Sequence, residues 1–246
     1  MNPYQTALVT GASSGIGRAI ALELAEAGLT VLAVGRDADA LAALPERAAN
    51  ITPVVCDLTH LPALYAQIAD ARIDVLVNNA GLLPQAGKVT ELSEDQIDAM
   101  IDVNVRAVIK LTRHVLAGMI ERRCGHVFFT GSSAGVAPSS NASVYGATKA
   151  AVHSFAAALR LDVLGLPIRI TELVPGRVQT NLYRTALGPE RSQQTLYDGI
   201  EAVQPEHLAR VLRCALELPD FVDLTRIDIM PTGQVVGGVQ TVALTR

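Results

Sequence analysis

Tryptophan is absent from the 246 residues, and aromatic side chains amount to only 4%. The apolar half of the composition is therefore mostly Ala, Val, Leu and Ile, which suits a core packed between a sheet and helices. Cysteine is almost as scarce. Cys56, Cys124 and Cys214 are odd in number and far apart, with no C-x-x-C pair or flanking histidine; this excludes a disulfide framework and a metal site of the usual spacing, and predicts buried, reduced thiols. No eighteen apolar residues follow one another, and Met-Asn-Pro-Tyr-Gln-Thr lacks a charged leader region, so the expected location is cytoplasmic with no membrane partner. Positive charge is also in deficit: 20 Lys and Arg stand against 24 Asp and Glu, both signs interspersed, leaving no basic patch for nucleic acid. Linkers, repeats and low-complexity tracts are missing too, so one domain over 1–246 is expected.

What is present is alternation. Short runs rich in Val, Leu and Ile recur at 6–9, 30–34, 53–56, 73–77, 126–130, 168–174 and 226–230. Helix-length segments separate most of them, at 15–27, 60–70, 93–121, 143–164 and 205–217, with a shorter one at 38–44. The pattern predicts an α/β fold, doubly wound, with about seven parallel strands and helices on both faces. Residues 181–204 have no clear periodicity and read either as a lid or as a plain surface loop.

Residues 6–17 run from a strand through Gly11, Gly15 and Gly17 into an alanine-rich helix. Glycines let such a turn approach a pyrophosphate, and the first free amides of the helix face the anion; Gly11, Ser13, Ser14 and Ile16 are the candidate contacts. At the end of the second run, where an NAD site prefers a carboxylate, the chain has Gly35 followed by Arg36, a guanidinium suited to a 2′-phosphate. The expected cofactor is NADP rather than NAD. Asp37 is either a ribose-binding acid or a helix cap, and Asp57 either an adenine contact or a cap. Asn78, Asn79, Ala80 and Gly81 close the fourth run with residues that permit close approach to a ribose or simply end a strand.

Tyr145 and Lys149 are one helical turn apart, with Ser132 thirteen residues before the tyrosine. Bringing a phenol from pH ~10 to ~7 requires roughly 4 kcal/mol, and one ammonium at ~4 Å with an effective dielectric of ~20 supplies about that. The lysine is thus expected to suffice for proton transfer by the tyrosine.

Thr10-Gly-x-x-x-Gly-Ile-Gly17, Asn78-Asn-Ala-Gly81, Ser132, Tyr145-x-x-x-Lys149 and Pro175-Gly176 stand in an order and spacing that resembles the short-chain dehydrogenases/reductases, short single-domain branch. The resemblance runs the length of the chain. It implies a Rossmann-like fold and an NADP-dependent oxidoreductase for a secondary alcohol or ketone, with Tyr145 as general acid or base. It further implies that Ser132 holds the substrate oxygen and that Lys149 lowers the tyrosine pKa and contacts the nicotinamide ribose. Asn104 matches the fourth catalytic position, its amide holding a water beside Lys149, while Pro175, Gly176, Val178 and Thr180 match the segment that meets the nicotinamide. Thirteen-residue spacing selects Ser132 over Ser133. His114 and His153 are read as packed or surface residues.

Substrate contacts are expected from Leu83, Pro84, Ala134, Asn141, Arg177, Tyr183 and Arg184. Arg177, Arg184 and Arg191 are candidates to pair with a carboxylate or are solvated surface residues. The segments 216–219 and 226–231 resemble family members acting on small 3-hydroxy acids. Pro-Thr-Gly-Gln234 replaces the family's Asp-Gly-Gly ending. Ala147, Ala150, Ala151, Phe155 and Ala158 form either a subunit contact or a face against the chain's own sheet, and the resemblance favours a homodimer or homotetramer. The competing class is a sensor or scaffold that binds NADP without catalysis.

Overall fold

The computed structural model describes residues 4–198 and 201–236. The chain begins at the middle of a sheet with β1 (Thr6–Thr10), α1 (Gly15–Glu26), β2 (Thr30–Gly35), α2 (Ala38–Ala42) and β3 (Ile51–Val55). After α3 (Leu61–Gln67) it returns to the centre with β4 (Val75–Asn78), then α4 (Glu94–Ile101), α5 (Val108–Arg122), β5 (Gly125–Thr130), α6 (Ser133–Val136), α7 (Ser143–Asp162) and β6 (Ile168–Pro175). The last elements are α8 (Asn181–Leu187), α9 (Pro189–Ser192), α10 (Pro205–Glu217) and β7 (Arg226–Ile229). All pairings are parallel and the strand order is β3-β2-β1-β4-β5-β6-β7. The order reverses between β1 and β4, which opens a crevice at the carboxyl ends of those strands.

The apolar runs lack alternation because both faces of the sheet are covered. Ala7 and Val9 pack with Leu24 of α1 and Leu212 of α10 on one face, whereas Leu8, Leu76 and Phe129 pack with Leu64 of α3, Leu111 of α5 and Val152 of α7 on the other. Among the described residues, no helix is long and apolar enough to cross a membrane.

Several expectations need correction. The helix anticipated over 93–121 is continuous but not uniform: α4 runs into α5 through a π-helical stretch, Asp102–Ala107, that holds Asn104. The described part of 181–204 is largely helical, in α8, α9 and a wide turn at Gln193–Tyr197. Only Cys56 is buried; Cys124 is half-buried and Cys214 exposed, although all three are free. On α7, Ala147, Ala150, Ala151 and Ala158 face solvent, and only Phe155 of that group leans on the core.

Candidate active site

One cavity of about 630 Å³ runs along the crevice, from Arg36 and Asp57 at one end to Tyr145 and Tyr183 at the other. Its walls include Gly11, Ser13, Ser14, Ile16, Asn79, Ser132, Lys149, Val178 and Thr180, so the residues singled out for the nucleotide meet in one place.

The β1 turn is shaped for close approach. Gly11 has φ +68°, and a Cβ there would lie 2.9 Å from Ala80 Cα. Gly17 does not line the cavity; its missing side chain lets α1 sit on the Gly11 carbonyl, which a Cβ would meet at 2.3 Å. Ser14 caps α1 without a side-chain bond and no acid stands in the first turn, so nothing of the helix's own competes with an anion at its amides. Thr10 ties this turn to β4: its hydroxyl donates to Val77 O at 3.1 Å and accepts from Asn79 N at 3.0 Å and Ala80 N at 3.1 Å. Asn79 is fixed in turn, donating to Thr10 O at 3.0 Å and accepting from Thr130 Oγ1 at 3.2 Å. Asn78 points away from the cavity and donates to Thr112 Oγ1 at 3.0 Å.

At the adenosine end, a Cβ on Gly35 would lie 3.2 Å from Ser13 Oγ, so a carboxylate at that position would press on the phosphate turn. Asp37 caps α2 by accepting from Ala40 N at 3.0 Å. Asp57 accepts from Thr59 N at 2.9 Å and Thr59 Oγ1 at 2.8 Å, yet it also lines the cavity, so capping and a cavity role coexist in one side chain. The bond from the Thr59 amide holds the Asp57 carboxyl below its ordinary value, with Arg36 adding to the effect. An exposed Arg36 on this rim offers the donor set that a 2′-phosphate requires.

The other end is dry. Tyr145, Lys149 and Ser132 are 6%, 5% and 8% exposed. Ser132 caps α6, accepting from Ala134 N at 3.1 Å, and lines the cavity, whereas Ser133 does not. Lys149 Nζ donates to Thr130 O at 2.7 Å and stands 5.9 Å from the centre of the Tyr145 ring. Burial lowers the lysine to about 8, against the opposing charge of Glu172. Burial also pushes the Tyr145 phenol up, with Tyr183 acting the same way and the Ser132 hydroxyl against it. The expectation that four-residue spacing alone lowers the phenol is therefore overturned for the nucleotide-free protein: desolvation outweighs an ammonium engaged with the Thr130 carbonyl.

Asn104 is completely buried. Its Nδ2 donates to Leu82 O at 3.0 Å and Thr148 Oγ1 at 3.1 Å, and its Oδ1 accepts from Leu82 N at 2.8 Å. Both amide protons are thus used by the protein; Asn104 fixes the segment that follows Gly81, and a single Oδ1 lone pair remains for the anticipated water.

Of the substrate candidates, Leu83, Pro84 and Tyr183 line the cavity, while Ala134, Asn141, Arg177 and Arg184 do not. Arg177 is buried rather than solvated, and desolvation lowers its pKa while Tyr183 and Tyr197 favour its charge. Arg184 and Arg191 are exposed outside the lining. His114 stacks on Tyr65 with ring centres 3.9 Å apart, and His153 bonds Glu172. Sequence reasoning named Thr10 only as part of the glycine motif and passed over Thr130, Thr148 and Tyr197, whose hydroxyl donates to Val178 O at 3.0 Å. A small hydroxyl residue at a strand end carries no signal of its own until its partners are known.

The sequence profile described as short chain dehydrogenase matches residues 5–190. An uncharacterised short-chain type dehydrogenase/reductase of Sinorhizobium fredii is 67% identical over 246 residues, covering 100% of this chain and 99% of that protein. The NADP-dependent 3-hydroxy acid dehydrogenase YdfG of Salmonella typhi is 35% identical over 240 residues, 94% of this chain and 97% of its own length. Among solved structures, the closed form of serine dehydrogenase complexed with NADP+ superposes with a TM-score of 0.91 at 32% identity, over 98% of this chain and 100% of that one.

Proposed function

The chain belongs to the short-chain dehydrogenase family, and from that premise we propose that it is an NADP-dependent oxidoreductase interconverting a secondary alcohol and its ketone. The observation that carries this reading is the meeting of Ser132, Tyr145 and Lys149 at one end of the cavity whose other end joins the amides of α1 to Arg36. NADP is supported by the Gly35-Arg36 pair, and by the cofactor in the names of the Salmonella relative and the serine dehydrogenase complex.

The cofactor would supply the hydride acceptor or donor. Gly11, Ser13, Ser14 and Ile16 would hold its pyrophosphate, Arg36 the 2′-phosphate, Asp57 and Asn79 the adenosine side, and Val178 and Thr180 the nicotinamide side. Ser132 donates to the substrate oxygen. Tyr145 gives or takes the proton at that oxygen. Lys149 supplies positive charge beside the phenol and donors for the ribose. Asn104 acts through Leu82 and Thr148 rather than on substrate.

The finer reading is a small 3-hydroxy acid, the substrate class in the names of the enterobacterial relatives. Other parts of the proposal are a single catalytic domain, a cytoplasmic enzyme, and a homodimer or homotetramer using the exposed alanine face of α7. A strictly monomeric mass by light scattering rejects the oligomer.

The test is NADPH oxidation over a panel of ketones and NADP reduction over 3-hydroxy acids and neutral alcohols of matched length. Turnover with a preference for NADPH over NADH is expected. Equal kcat/KM for acids and neutral alcohols refutes the hydroxy-acid assignment, and a wild-type protein that binds NADPH but turns over nothing favours the sensor class.

A further inference from the structure

We propose that Glu172, clamped by His153, is a positioning residue for Lys149: a buried counter-ion behind the β5–α6 turn that holds the lysine in its ammonium form. Glu172 lies within β6 and is 2% exposed, an expensive place for a carboxylate without a task. Its two oxygens have different surroundings. Oε2 lies 2.6 Å from Nδ1 of His153, whose side chain is 38% exposed on α7. Oε1 is turned into the space left by Gly131, where a Cβ would come within 2.3 Å of it. The residue before Gly131 is Thr130, whose carbonyl accepts the Lys149 ammonium at 2.7 Å, and the residue after it is Ser132. Carboxylate and ammonium therefore approach one glycine turn from two sides.

Tyr145, Lys149 and His153 follow one another at four-residue intervals along one face of α7, so the clamp sits one turn beyond the lysine it serves. Other charged groups near Glu172 have acceptors of their own. Arg160 of α7 donates to Ile170 O and Thr225 O, and Arg226 of β7, in register with Glu172, pairs with Asp228. On the β5 side the neighbour in register is the apolar Phe129. The Lys149 ammonium bonds a neutral carbonyl, and Glu172 is the charge that opposes its loss of proton. Gly131 belongs to the device, since any side chain there would displace the carboxylate.

The sequence offers a direct readout, because its only lysines are Lys88, Lys110 and Lys149. Lysine labelled with ¹³C at Cε gives three resonances, and their titration in the nucleotide-free protein reports the Lys149 midpoint without any assay of turnover. The proposal thus stands apart from the oxidoreductase reading: a shifted midpoint in an inactive protein sinks only the latter. Wild type should titrate near 8. Glu172→Gln should lower the midpoint by about one unit or more, Glu172→Asp by less, His153→Ala in the same direction, and His153→Gln, which keeps a donor for the carboxylate, little or not at all. An unchanged Lys149 midpoint in Glu172→Gln overturns the proposal. Should that variant fail to fold, judged by loss of methyl dispersion, His153→Ala decides, since its side chain is partly exposed; an unchanged midpoint there also overturns the proposal.

Discussion

At the adenosine end of the cavity the charged side chains stand in water, Arg36, Asp37 and Asp57 all being exposed, whereas at the reacting end Tyr145, Lys149 and Asn104 are almost wholly enclosed. Charges in water act on a ligand through a screened field. Enclosed groups have their proton affinities rewritten, Tyr145 upward and Lys149 downward, and each needs dedicated partners. Recognition can thus be changed at one end with little effect on the fold, while the other end couples chemistry to stability.

The sharpest break in that contrast is Tyr145→Phe, which should lower kcat about 10²–10⁴-fold while NADPH binding, followed by fluorescence, changes little. Equal rates for both proteins would remove the tyrosine from the mechanism. Asn104→Ala comes next. It removes the partners of the Leu82 amide and carbonyl and one donor to the Thr148 hydroxyl, and should destabilise by roughly 1–3 kcal/mol in urea unfolding; an unaltered midpoint would show that water replaces the amide freely.

Lys149→Met should do the opposite to stability. Burial lowers this lysine from 10.5 to about 8, so between those values the unfolded chain binds more protons than the native one, and stability rises with pH. The penalty is full below about 8 and vanishes as pH rises past 10.5. At pH 7 the variant should gain up to roughly 3 kcal/mol, reduced by the lost bond to Thr130, and nothing above pH 11. A gain independent of pH would point to packing instead. Arg36→Ala should weaken NADPH binding by about tenfold, less in high salt, leaving NADH binding and the melting temperature as they were; an equal loss for both nucleotides refutes the 2′-phosphate role. The smallest effect is expected from Asp37→Ala, about 1 kcal/mol of stability through the α2 cap, with nucleotide affinity retained.

Legibility in the sequence divides along the same contrast. Gly11, Gly15 and Gly17 could be recognised because backbone constraints act locally, and Gly35-Arg36 because a strand end is set by its own apolar run. Tyr145 and Lys149 were visible through helical spacing, but their proton affinities were not. Spacing on α7 brings the ammonium near the phenol, while burial by the surrounding packing dominates, with Tyr183 raising the phenol further and the Ser132 hydroxyl opposing. Asn104 was rightly placed in a helix, but the π-helical widening at Asp102–Ala107 that carries it left no composition signal. Glu172 was hidden inside a run read simply as buried strand, and Arg177, unlike the solvated Arg184 and Arg191, was misjudged because nothing local indicates that it turns in toward Tyr183 and Tyr197.

By itself the sequence determined the alternation of strand and helix, the parallel sheet with both faces covered, and the turn that offers amides to an anion. Each follows from periodicity or from the conformational freedom of glycine, properties of neighbours along the chain. Only the tertiary structure decided which hydroxyls and amides close around the reacting end, how far Tyr145 and Lys149 depart from their ordinary proton affinities, and that a carboxylate from β6 lies behind the turn holding the lysine. Those outcomes depend on dielectric and on contacts between residues far apart in sequence, such as Asn104 with Leu82 and Thr148 or Glu172 with His153, and no local pattern encodes them.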